Sequence, residues 1–142
     1  MIFLHLEFIN LKRNIFVECW IILLMKALGF HYLIELNNCD PNYLKDAQIL
    51  ENLLRKAVKE SGATEIGRVF HEFSPHGVSG VVLISESHFS IHTWPEYGYA
   101  AVDFFTCNKS VDVQKAIGIL KKNLGAKSSS FVEIKRGFPE AE

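Results

Sequence analysis

From Leu28 to Leu36 apolar and polar side chains alternate, with Tyr32 and Ile34 among them, and this period of two predicts a first β-strand. Asn37 to Pro41 breaks the pattern. Asp40 followed by Pro41 marks a helix start, because the carboxylate can cap free amide hydrogens and proline suits the first helical position, where no donor is needed. Leu44, Ala47, Leu50, Leu54, Ala57 and Val58 then recur at helical spacing, which predicts one continuous helix with an apolar stripe lying on a sheet. Ser61-Gly62 ends it, glycine entering the left-handed conformation most cheaply. Further strands are predicted over Thr64 to Phe70, Gly77 to Ile84, His88 to Thr93 and Tyr99 to Thr106, and their short connections favour antiparallel neighbours. Asp112 caps a second helix through about Leu124, with Ala116, Ile117, Leu120 and Leu124 on one side and Gly125 as the stop. Ser128 to Lys135 supplies a last strand.

The order strand, helix, four strands, helix, strand predicts an α+β fold, an antiparallel sheet with both helices on one face. The later strands are apolar on both faces, with Val81, Val82, Leu83 and Ile84 in one and Phe104 and Phe105 in another. The face without helices therefore needs a cover. A second protomer is the economical one, giving a homodimeric αββα sandwich.

Composition narrows the class. The chain has 142 residues, 49% hydrophobic and 22% charged, enough for a single compact domain with its own core. A net charge of -1 with scattered Lys and Arg leaves no long electrostatic footprint for nucleic acid and favours a small-molecule partner. Cys19, Cys39 and Cys107 are odd in number and lack a CxxC spacing, which points to a reducing cytoplasm. Residues 1–24 are apolar, but the run Ile15 to Leu24 carries Glu18 and is far shorter than the roughly 20 apolar residues a spanning helix needs. No small-residue cleavage site follows before Lys26. The expectation is an extension outside the fold, no membrane anchor, a functional start at Met25, and one domain over 25–142.

The chemistry gathers between Ser85 and Cys107, where two serines, two histidines, two glutamates, an aspartate and a cysteine stand among apolar runs beyond the first serine. A packed core would exclude such groups or pair them, since an unsatisfied buried polar group costs roughly 2 kcal/mol or more. Ser87 falls where the third strand gives way to the fourth. A serine hydroxyl held there can attack the carbonyl of Glu86, make an ester in place of the peptide, and eliminate to dehydroalanine, which hydrolyses to a pyruvoyl group. The elimination needs a general base, and His92 is the candidate because imidazole titrates near neutral pH. Ser79 could add a supporting hydrogen bond. Each residue also has an ordinary reading. Cys107 would serve as a small hydrophobe, Trp94 to Gly98 as a rigid turn, and Glu35, Glu72 and Asp103 as strand charges. His71, His76, His88 and His92 lack a metal-ligand spacing, so no metal is expected.

Ser87-His88, Ile91-His92-Thr93-Trp94-Pro95-Glu96, Gly98-Tyr99-Ala100 and Phe105-Thr106-Cys107 resemble the central signature of the short prokaryotic S-adenosylmethionine decarboxylase proenzymes. Ser61-Gly62-Ala63, Phe70-His71, Gly77-Val78-Ser79-Gly80-Val81-Val82 and Met25-Lys26 extend the resemblance, while residues 1–24 have no counterpart in it. Asn108 departs from it where a glycine commonly follows the cysteine, which implies a changed turn. The resemblance implies self-cleavage between Glu86 and Ser87, leaving 25–86 as the beta-chain region and 87–142 as the alpha chain. Ser87 would become a covalently bound pyruvoyl group that forms a Schiff base with S-adenosylmethionine and acts as electron sink during decarboxylation. It implies His92 and Ser79 for processing, Cys107 as proton donor, Phe73 for stacking on adenine and Glu96 for the ribose hydroxyls. The product would be the aminopropyl donor of spermidine biosynthesis. Two other readings stay open from the residues alone: a pyruvoyl-dependent decarboxylase of arginine or a related amino acid on the same fold, and a non-catalytic module that never cleaves itself.

Overall fold

The computed structural model describes residues 27–85 and 87–139. Six strands, β1 (Gly29–Asn37), β2 (Glu65–Glu72), β3 (Val78–Ile84), β4 (Ser87–Trp94), β5 (Tyr99–Thr106) and β6 (Ser128–Arg136), form one sheet in the order β2-β3-β4-β5-β1-β6. Three helices, α1 (Pro41–Leu44), α2 (Ala47–Glu60) and α3 (Val113–Asn123), and a 3-10 turn at Pro95–Tyr97 complete the described elements. The β2-β3, β3-β4, β4-β5 and β1-β5 ladders are all antiparallel, the first three as their short connections lead one to expect.

Burial alternates along the strands, and the alternation divides the sheet into two chemically different faces. Val82 and Ile84 of β3, Phe89 and Ile91 of β4, and Ala100, Val102 and Phe104 of β5 are buried on the first face. They form one core with Leu50, Leu53, Leu54, Ala57 and Val58 of α2 and Val113, Ala116, Ile117 and Leu120 of α3. Phe89 and Phe104 are fully buried with ring centroids 4.5 Å apart. Burial of each large side chain contributes about 1.5–3 kcal/mol, so this face holds the sheet and the two long helices together.

The continuous first helix expected from Asp40 to the Ser61-Gly62 stop is two helices. Asp40 caps a single turn, accepting from the Asn42 amide at 2.9 Å. Asp46 then caps a fresh helix, accepting from the Ile49 amide at 2.9 Å. The break has a cause in β4. Buried Thr93 donates its hydroxyl to the Leu44 carbonyl at 2.7 Å, pinning the end of α1 to the sheet. The same hydroxyl oxygen accepts from the Val78 amide at 2.8 Å, so one threonine ties α1, β3 and β4 together.

Residues 29–135 make one compact unit. In a separate short unit, the Leu28 amide donates to the carbonyls of Arg136 at 3.0 Å and Gly137 at 2.9 Å. The extension over 1–24, the start at Met25-Lys26 and Glu86 lie outside the described residues. Among the described residues no helix is long and apolar enough to cross a membrane.

Candidate active site

The second face of the sheet has no helix on it, and the strand register sorts its side chains into rows. His71, Ser79, His92, Ala101 and Glu35 make one row across β2, β3, β4, β5 and β1. Val69, Val81, Ser90, Asp103 and Leu33 make the next, and Leu83, His88, Phe105 and His31 make a third across β3, β4, β5 and β1. Glu35, His71, Ser79 and His92 thus line one end of the open face and His31 and His88 the other, with Ser90 and Asp103 between them. Ser87 is in register with buried Ile84 and Thr106 where β4 begins.

At the Trp94 end, the Ser79 hydroxyl and His92 Nδ1 share a hydrogen bond of 2.7 Å across the β3-β4 ladder. This engages one ring nitrogen and leaves Nε2 on an exposed ring. Ser79 and His92 line a cleft of about 330 Å³ with Phe73, His76, Trp94 and Glu96. His76 Nε2 stands 3.3 Å from Glu96, and Phe73 meets His71 edge-on at 4.6 Å. The 3-10 turn starting at Pro95 carries Glu96 into this cleft, and Gly98 closes the turn at φ 58°, which a side chain would strain. Beside it, Tyr99 donates to Glu35 and its ring lies 5.3 Å from that of Trp94. The bond to Glu35, followed by burial, pushes the Tyr99 phenol up to about 12.

At the opposite end, Ser87 opens β4 at φ 154°, a backbone region that L side chains rarely adopt and that costs of order 1–3 kcal/mol. Its hydroxyl lies 3.2 Å from Nδ1 of the next residue, His88. His88 packs edge-on against His31 at 6.2 Å, and both rings contact Phe105, at 5.8 and 5.6 Å. His31 Nε2 is 3.3 Å from Asp103, which also accepts from Ser90 at 3.4 Å. Gly29 is needed here, since a Cβ would fall 2.5 Å from the Phe105 ring. Ser87 pairs with Thr106, and exposed Cys107 follows directly. Asn108 shapes the next turn by accepting from the Ser110 amide and hydroxyl at 2.9 and 2.7 Å. The other free thiol among the described residues is different in kind: Cys39 is buried, and burial pushes it up to about 11, leaving it protonated and inert.

The structure therefore brings Ser79, His92, Phe73 and Glu96 together, and separately Ser87 and Cys107. It does not bring the two groups together within one chain. His92 and Ser87 are five residues apart on one straight strand, about 17 Å at the usual strand rise. His31 and His88 belong to the Ser87 end without having been assigned to it from sequence. Only their register against Phe105 places them there.

The sequence profile of the family described as S-adenosylmethionine decarboxylase matches residues 30–137. The S-adenosylmethionine decarboxylase proenzyme of Thermotoga petrophila is 54% identical over 113 residues, 80% of this chain and 87% of that protein. The proenzyme of Thermodesulfovibrio yellowstonii is 52% identical over the same share of this chain and 84% of its own length. The crystal structure of the adenosylmethionine decarboxylase from Aquifex aeolicus superposes with a TM-score of 0.75 at 38% identity, covering 82% of this chain and 97% of that one. A monomer of the Trypanosoma brucei enzyme shares the fold alone, with a TM-score of 0.53 at 16% identity over 73% of this chain and 45% of that one. Fold and relatives together define a carboxy-lyase whose pyruvoyl group comes from autocatalytic serine cleavage. The chain belongs to the S-adenosylmethionine decarboxylase family. This membership selects S-adenosylmethionine decarboxylation over both the arginine-type decarboxylase and the non-catalytic module.

Proposed function

We propose that Ser87 is the serine that becomes the pyruvoyl group and that two copies of the chain, stacked open face to open face, complete each other's active sites. The reaction is decarboxylation of S-adenosylmethionine to the aminopropyl donor of spermidine biosynthesis. The observation that carries the arrangement is the separation of about 17 Å between Ser87 and His92 on one strand. No side-chain rotation spans that gap. A two-fold axis running across the strands near Ser90 does, because it reverses strand direction in the facing sheet and sets the Ser87 end of one protomer over the His92 end of the other. The apolar surface supports the same contact, with Val69, Leu83 and Val132 exposed by 68%, 50% and 60%. Val69 and Leu83 belong to the open-face rows. Val132 joins them, since Tyr32 bonds to Glu133 and packs on Phe131, which puts those two neighbours on the helix side.

The residues at the Ser87 end fit a pyruvoyl group made in place. The hydroxyl is held by a neighbouring imidazole nitrogen, at a strained backbone position, and the strand partner of Ser87, Thr106, immediately precedes Cys107. Ser87 attacks the Glu86 carbonyl, and His92 of the partner subunit, aligned by its own Ser79, removes the Cα proton in the elimination. The product chains are 1–86 and 87–142. Once formed, the pyruvoyl group supplies an electron sink for the departing carbon dioxide. Phe73 offers its face to adenine, Glu96 accepts the ribose hydroxyls, and the aromatic lining of the cleft favours the sulfonium cation. Cys107 returns a proton to the carbon that lost carbon dioxide. Free Cys39 and Cys107 fit a reducing cytoplasm as the setting.

Intact mass tests the reading. The expected result is two chains, with the second lacking a free amino terminus and lighter by one ammonia than hydrolysis would leave it, and a single uncleaved chain in Ser87→Ala. A wild-type protein that stays one chain in fresh and aged samples, or cleavage that survives Ser87→Ala, would overturn it.

A further inference from the structure

If His92 reaches Ser87 only from a second protomer, another group has to manage the Ser87 hydroxyl proton at the start. The ring nitrogen placed for this is in the same chain: His88 Nδ1, 3.2 Å from Ser87 Oγ. The contact is local and does not depend on assembly. His88 is also fixed from the side, edge-on to His31 at 6.2 Å and against Phe105 at 5.8 Å, so the nitrogen keeps its aim at the serine. Among the described residues, the charged and titratable groups near it include His31 on β1, the Asp103 that pairs with His31, and Cys107 beyond the end of β5. Leu83 is its partner on β3.

We propose that His88 is a catalytic residue of self-processing, the base of the first step, and that maturation divides between two histidines: His88 in cis makes the ester, and His92 in trans eliminates it. The inference rests on Ser87 being the pyruvoyl precursor. In the first step the Ser87 Oγ–H proton passes to His88 Nδ1 while Oγ bonds to the Glu86 carbonyl carbon. The Glu86–Ser87 C–N bond then breaks, and the imidazolium returns its proton to the departing Ser87 nitrogen. Nothing is consumed: an amide becomes an ester plus an amine, and His88 ends as it began. A base so placed contributes typically 10²–10⁴-fold.

The test uses the full chain and hydroxylamine, which cuts an ester at this junction and leaves an amide intact. His92→Ala should form the ester and stall, so hydroxylamine should release the 1–86 and 87–142 fragments quickly. His88→Asn retains a polar group near the serine without a base. It should release fragments about 10²-fold or more slowly, and its residual rate should rise in proportion to hydroxide concentration. His88→Gln, with a different side-chain reach, should behave the same way, and circular dichroism should show both variants folded. Release from His88→Asn at the His92→Ala rate would overturn the proposal and leave the Ser87 reading intact. Wild-type cleavage in His88→Asn would overturn it too, reducing His88 to a hydrogen-bonding support. Ser87→Ala releasing the same fragments would instead sink the Ser87 reading itself.

Discussion

At one end of β4 a histidine is held by a serine across the β3-β4 ladder; at the other, a serine is held by the histidine that follows it. The side chains are the same and the outcome differs with the direction of the contact. Ser79 takes the Nδ1 side of His92 and leaves an exposed ring to reach outward. His88 turns Nδ1 onto its own neighbour and is hemmed in by His31 and Phe105. The first pair suits service to another chain, the second service to its own. If Ser87 is the nucleophile and His92 the eliminating base, as proposed, a lone protomer has the first without reach of the second, and maturation should follow assembly.

The largest expected effect that sharpens this contrast is at Cys107, beside the Ser87 end. In the proposed role Cys107 acts only after the pyruvoyl group exists, so Cys107→Ser should still cleave itself, yet carbon dioxide release should fall by about 10²-fold or more. Serine is far too weak an acid near neutral pH to replace a thiol. Intact mass before substrate and carbon dioxide release afterwards separate the two functions; wild-type turnover in the processed variant would remove Cys107 from the reaction.

A smaller effect separates the two ends through pH. The Tyr99 phenol, beside the His92 end, is raised from 10.0 to about 12 chiefly by its bond to Glu35. Tyr32, on the helix side of β1, is raised to about 12 chiefly by burial, with Glu133 adding to it. A folded value above the unfolded one means that both contributions are whole below pH 10 and are lost as pH rises through about 12. Urea midpoints should therefore decline across that window, and Tyr99→Phe should decline less while cleaving normally. An unchanged decline would show that the Tyr99 contact carries no stability.

Much of the fold was legible from residue patterns because burial follows them. The alternation in β3, β4 and β5 and the apolar stripe of α2 each describe one surface meeting another. The break between α1 and α2 was not legible, since it depends on a bond from Thr93 to Leu44, 49 residues away in sequence. The cleft residues Phe73 and Glu96 had no signal of their own in the pattern and were reached only through the family resemblance. The reach of His92 to Ser87 within one chain was not legible either. A five-residue spacing looks short, but on an extended strand it is a long distance. His88 was passed over because a histidine next to a serine is unremarkable until the strand start bends the two side chains together.

The claim that each site is shared between protomers is tested most directly by mixing two defects. Ser87→Ala and His92→Ala chains, differently tagged and co-expressed, form mixed dimers in which one site keeps both an intact Ser87 and an intact partner His92. The His92→Ala chain should be cleaved in those mixed dimers and the Ser87→Ala chain should stay whole, with neither cleaved when expressed alone. Mixed dimers in which the His92→Ala chain stays whole would contradict a shared site.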